Sequence, residues 1–174
     1  MLGLYYAQIL ISIVIGDNTD KIGPFFTFES HKNVLIVFMK VIGIDLDSSR
    51  AIIYALEKTS DGIDNLTNDF KTLAIGDDAN NDQVRNFRTT IFSFFDNIEP
   101  DIIAIITRRS SGRFAGSPIS FKLEGLIQCY ERIEVQFIDP LTINAFYKTK
   151  TFSLTVKHKY QEQAARLANY LLER

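Results

Sequence analysis

The stretch Lys40-Val41-Ile42-Gly43-Ile44-Asp45-Leu46-Asp47-Ser48-Ser49-Arg50-Ala51-Ile52-Ile53-Tyr54-Ala55-Leu56-Glu57 decides how the chain is read. Lys40 to Leu46 is almost continuously apolar and rich in branched side chains, the pattern of a strand buried on both faces. Polar Asp47-Ser48-Ser49 ends it, and a second apolar run starts at Arg50. Two such runs joined by so short a polar turn predict an antiparallel hairpin. One carboxylate, Asp45, sits within the first strand, where an ionised group is costly to bury unless something binds it.

Forward from the hairpin, Asp61-Gly62 and Asp64-Asn65 mark a loop, and Phe70 to Ile75 reads as a third, shorter strand closed by Gly76-Asp77-Asp78. Asn81 or Asp82 is placed to cap a helix in which Val84, Phe87, Ile91, Phe94 or Phe95, and Ile98 share a face. Pro100 stops that helix. Asp101 to Thr107 is an apolar run suited to a central parallel strand, followed by the basic loop Arg108-Arg109-Ser110-Ser111-Gly112-Arg113-Phe114-Ala115-Gly116. A helix from Pro118 to Tyr130, a strand over Glu134–Asp139, a short helix over Pro140–Tyr147 and a last helix over Tyr160–Leu172 complete the chain. The order is β-β-β-α-β-α-β-α. It resembles the plan of the RNase H-like fold, an α/β arrangement with a five-stranded mixed sheet flanked by helices. One such domain is expected over residues 39–174.

Backward from the hairpin the pattern is lost. Leu2 to Ile15 is apolar, but it is shorter than the roughly 20 residues a spanning helix needs, and Gln8 interrupts it. It lacks the basic start and small-residue cleavage site of a signal peptide. Residues 1–38 are therefore read as an N-terminal extension outside the domain, with Met39 as an alternative start. An edge strand at Val34–Phe38 and a membrane-associating arm are the rival readings, and no membrane role is expected for 39–174.

The 174 residues suit one domain with a substantial core, and 46% hydrophobic with 23% charged residues is ordinary for a globular protein. A net charge of −2 excludes a global basic field, so any nucleic-acid role must come from a local patch. The single cysteine, Cys129, excludes an intramolecular disulfide, fits a reducing cytoplasmic compartment, and is expected to be a buried thiol. With only His31, His158 and Cys129 as nitrogen or sulfur donors, a zinc site is not expected.

In RNase H-like enzymes, carboxylates at one end of the sheet hold two divalent ions that activate water and steady the leaving oxygen. The fold draws these acids from the first strand, the end of the fourth strand and the last helix. Asp45 fills the first place, and Ile42-Gly43-Ile44-Asp45-Leu46-Asp47-Ser48 resembles the first-strand motif of RuvC-type Holliday-junction resolvases. The plainer alternative is a strand-end carboxylate bonded to turn amides. Asp47 alternates onto the same face, as a second ligand or as a turn residue. Glu162 occupies the first turn of the last helix, where it serves either as the final acid or as a solvated partner of the helix dipole. Glu124 is a further contributor, or else a helix carboxylate paired with a basic neighbour. The fourth-strand place fails: Ile106-Thr107-Arg108-Arg109 offers no carboxylate, and arginine repels a cation.

The run Arg113-Phe114-Ala115-Gly116-Ser117-Pro118-Ile119-Ser120-Phe121-Lys122-Leu123-Glu124-Gly125-Leu126-Ile127-Gln128 is similar to the hallmark of a bacterial domain-of-unknown-function family, number 3010, grouped with the RNase H-like superfamily. The resemblance extends from about Met39 to the C-terminus. It implies the fold, a nuclease-like ancestry, and a glutamate at the position that Arg108 holds here. Arg108, Arg109, Arg113 and Lys122 surround glycines and serines at the carboxyl end of a parallel strand, a place suited to phosphate. The alternative is a solvated loop that pairs with Asp45 and Asp47. Lys148, Lys150, Lys157 and Lys159 form a second basic stretch, read as lacking interleaved aromatics.

Two functions remain open. One is a nuclease using magnesium or manganese through Asp45, Asp47, Glu162 and Glu124. The other is a catalytically silent module that binds nucleic acid or a partner protein through the arginine loop. A nucleotide-binding ATPase of the actin-like group shares Gly43-Ile44-Asp45-Leu46, but the chain is too short for its paired domains.

Overall fold

The structure is a computed structural model and describes residues 38–112 and 115–174. The expectations for residues 1–37 and for Arg113 and Phe114 therefore lie outside the described residues. Strands β1 (Met39–Asp47) and β2 (Arg50–Lys58) form the expected hairpin, paired in register from Met39↔Lys58 to Asp47↔Arg50. Ser48 takes a left-handed φ of 56° in the two-residue turn.

The expected third strand is split. β3 (Ile63–Asn65) and β4 (Thr72–Ala74) both pair antiparallel with the free edge of β2, one at each end. Between them the chain leaves the ladder, and the buried Thr67 hydroxyl accepts the Ala55 N–H instead. Asp64 and Asn65 are therefore strand residues rather than loop. They are exposed on an edge strand of three residues, where no alternation can develop.

Helix α1 (Asn81–Ile98) follows. Its cap is Asn80, one residue before the expected position, with the side chain accepting from the Asp82 and Gln83 amides. It ends at Glu99 with a left-handed φ of 52°, just ahead of Pro100. β5 (Ile102–Ile106) lies parallel to β1 on one side and to β6 (Val135–Ile138) on the other, with α2 (Pro118–Gln128) as the crossover. α3 (Pro140–Phe146), a 3₁₀ turn (Lys159–Gln161) and α4 (Glu162–Glu173) complete the chain. The sheet order is β3-β2-β1-β5-β6, with β4 beside β3 on β2.

Both faces of the sheet are covered, which is why β1 and β5 read as unbroken apolar runs. Ile42, Ile44, Ile103 and Ile105 pack with Phe87, Ile91 and Phe95 of α1 and Leu123 and Ile127 of α2. Val41, Ala104 and Ile106 pack on the other face with Ala164, Ala168 and Leu171 of α4. Gly43 lets α4 come down onto β1: a Cβ there would run into the Ala164 carbonyl oxygen and lie 2.7 Å from the Ala168 nitrogen. The expectation for Cys129 is corrected. It stands at the C-cap of α2, two residues beyond buried Ile127, and its thiol is exposed.

Candidate functional site at the carboxyl edge of the sheet

β1 and β5 run parallel, so their carboxyl ends open on the same edge, where ligands of open α/β sheets bind. Two adjoining cavities share Gly116 there. One, of about 450 Å³, is lined by Asp45, Leu46, Asp47, Ser48 and the start of α2. The other, of about 550 Å³, is lined by Ile106, Thr107, Arg108, Arg109, Gly116 and Pro140. The wall between β1 and α2 is fixed by Ser117, which accepts from the Ser120 N–H to cap α2 and donates its hydroxyl to the Ser48 carbonyl at 3.1 Å.

Asp45 is half-buried on the α4 side of β1. Burial, and then repulsion from Asp47, push its carboxyl above the usual range, while Arg108, Arg50 and the Leu46 N–H act in the opposite direction. Asp47 is exposed and held by Arg50, whose guanidinium donates at 2.6 Å.

Arg108 is the feature that organises the crevice. Its Nη2 donates to Glu124 Oε2 at 2.5 Å, and only 11% of its side chain is exposed. The guanidinium lies over the Phe121 ring at 5.0 Å and against Gly116, where a Cβ would stand 3.1 Å from Nε. Its Nε and Nη1 are buried with no hydrogen-bond partner among the described residues. Burial lowers its pKa, Glu124 and Asp45 oppose that, and a guanidinium so placed stays charged. Gly116, Phe121 and Glu124 all belong to the hallmark run, so that motif serves here as the seat of a fixed cation.

The other expected site residues are dispersed. Lys122 is bound to the side chain and carbonyl of Asp78 at 2.9 and 2.6 Å, so it is not free for phosphate. Arg109 is exposed at the crevice and paired through its backbone with Ala115 and Gly116. Glu162 is not brought to Asp45. It lines a separate cavity of about 320 Å³ with Phe152, Leu154, Val156 and Lys159, because the α4 face that meets β1 carries alanines. Among the described residues no three acidic, histidine or cysteine side chains are grouped to hold a metal. Two divalent ions do not fit a crevice that presents the Arg108 guanidinium just beyond β5, where the fold's second acid is expected.

The sequence reading missed one group. Tyr160 stacks on His158 at 5.3 Å with Arg50 above its ring, so Lys157-His158-Lys159-Tyr160 is an interleaved basic and aromatic run. The alternation is visible in the sequence.

A mixed sheet in this order, covered by helices on both faces, is an RNase H-like fold. The Thermus thermophilus RuvC structure matches with a TM-score of 0.59 and 10% identity, over 75% of this chain and 91% of that one. RuvC of T. thermophilus in complex with Holliday junction substrate matches with a TM-score of 0.54 and 11% identity, over 75% and 90%. The chain belongs to the family described as protein of unknown function (DUF3010), whose model matches residues 39–171. No curated protein sequence matches it. Among the described residues no helix is long and apolar enough to cross a membrane.

Proposed function

We propose that this domain is an RNase H-like module that binds the phosphate backbone of nucleic acid at the carboxyl edge of its sheet, without ordinary two-metal cleavage. The observation that carries this reading is the part-buried Arg108–Glu124 pair beside Asp45. A guanidinium there supplies fixed positive charge where an ion would otherwise be recruited. It also occupies Glu124, which would have to be free to act as a ligand. Exposed Arg109 lines one of the two adjoining cavities and the N-terminus of α2 lines the other, and both suit phosphate oxygens. The likeness to RuvC, one form of which is solved with a Holliday junction substrate, makes branched DNA the first probe to use.

The test is fluorescence anisotropy of a labelled four-way DNA junction with the full chain, in EDTA and in magnesium. Binding in EDTA that magnesium does not strengthen is expected. Arg109→Ala should weaken binding and reduce the salt slope by about one, the loss of one phosphate contact. Binding that is absent in EDTA and restored by magnesium would overturn the reading.

That result would favour the second reading, a magnesium- or manganese-dependent nuclease on Asp45 and Asp47. The polar cavity that both carboxylates line, and the raised pKa of Asp45, support it. In that case substrate phosphates would complete the ion's ligands.

A further inference from the structure

We infer that His158 and Tyr160 form a stacking platform for an unpaired nucleobase beside the crevice, so that the module prefers single-stranded or locally opened nucleic acid. This rests on the reading above and adds the form of nucleic acid the site takes. The two rings lie 5.3 Å apart and within 10° of parallel, and Tyr160 keeps 39% of its surface exposed. Tyr160 is exposed and lies outside both core clusters, and its ring already stands in a parallel stack with His158.

The platform is joined to the crevice by a single arginine. Arg50 pairs with Asp47 in the crevice wall at 2.6 Å, and its guanidinium stands 5.8 Å from the centre of the Tyr160 ring. Exposed Lys157 and Lys159 flank His158 in the chain and supply cations beside the rings. Asp47 and Glu162 border the same patch, so its positive charge is largely balanced. Stacking rather than charge must then supply the preference, and stacking requires bases that are not already paired.

The test compares a labelled oligothymidylate with a duplex of the same length, binding each to the full chain and to Tyr160→Ala and Tyr160→Phe. The expected result is tighter binding of the single strand, about tenfold weaker in Tyr160→Ala and unchanged in Tyr160→Phe, with matching thermal melts. Single-strand binding by Tyr160→Ala equal to wild type would overturn the platform while leaving the crevice reading intact. So would equal binding of strand and duplex. Failure of the wild-type chain to bind either form, or the four-way junction, would remove both readings and point the patch towards a protein partner.

Discussion

Arg108, two residues beyond β5, and Glu124 in α2 meet at 2.5 Å across sixteen residues of chain, and Arg108 lines the crevice. The guanidinium is the more deeply buried partner, which makes the two residues unequal when either is removed.

Glu124→Ala strands a buried guanidinium with no counter-charge at hydrogen-bond distance. It is expected to destabilise the fold by about 3 kcal/mol in urea unfolding, typical of breaking a buried pair from one side. Arg108→Met leaves Glu124 free to reach water and should cost clearly less. The double variant Arg108→Met/Glu124→Leu should recover most of the loss. Equal losses from both single variants would mean that the guanidinium is hydrated after all.

Asp45 gives a pH signature of defined sign. Its pKa is raised by folding from the ordinary 3.8, so between the two values the native state holds more protons than the unfolded chain. Stability contributed by this group therefore falls as pH rises through that window. Asp45→Asn should be more stable than wild type at neutral pH and should lose that advantage below pH 3.8. Parallel wild-type and variant curves across the range would contradict the assignment.

Gly43→Ala is expected to lift α4 off β1, because the new methyl collides with helix backbone that cannot rotate away. The cost should be about 3 kcal/mol, at the upper end for overpacking, and visible as a lower thermal midpoint.

Arg108→Glu restores the carboxylate that the family resemblance places at this position, beside Asp45 and Glu124. The variant should be less stable than wild type in EDTA and regain stability in magnesium or manganese, by about 2.7 kcal/mol at a hundredfold excess over its dissociation constant. The wild-type midpoint should not respond to either ion.

Much of the fold could be read from residue order. The hairpin was legible because two apolar runs flank a polar turn, and β5 because Ile102 to Ile106 is buried on both faces. β3 was not, since Ile63-Asp64-Asn65 is too short and too polar to show a strand period. Asp45 and Asp47 line one cavity, and their nearness could be read from alternation along a single strand. Whether Glu124 would ligate or pair depended on the path of the loop carrying Arg108, which local sequence does not determine. Glu162 was matched to a place in the fold, but it lines a cavity with Phe152 and Leu154 that Asp45 does not share. Lys122 looked available until the chain brought Asp78 to it from forty-four residues away.

The most direct measurement incubates the full chain with a labelled four-way junction and single strands in magnesium and in manganese, and follows both binding and cleavage. A guanidinium in the place of an acidic ligand predicts stable binding with no ion-dependent product. Cleavage that requires the ion and disappears in Asp45→Asn would contradict it, and would make Asp45 and Asp47 a working metal site despite Arg108.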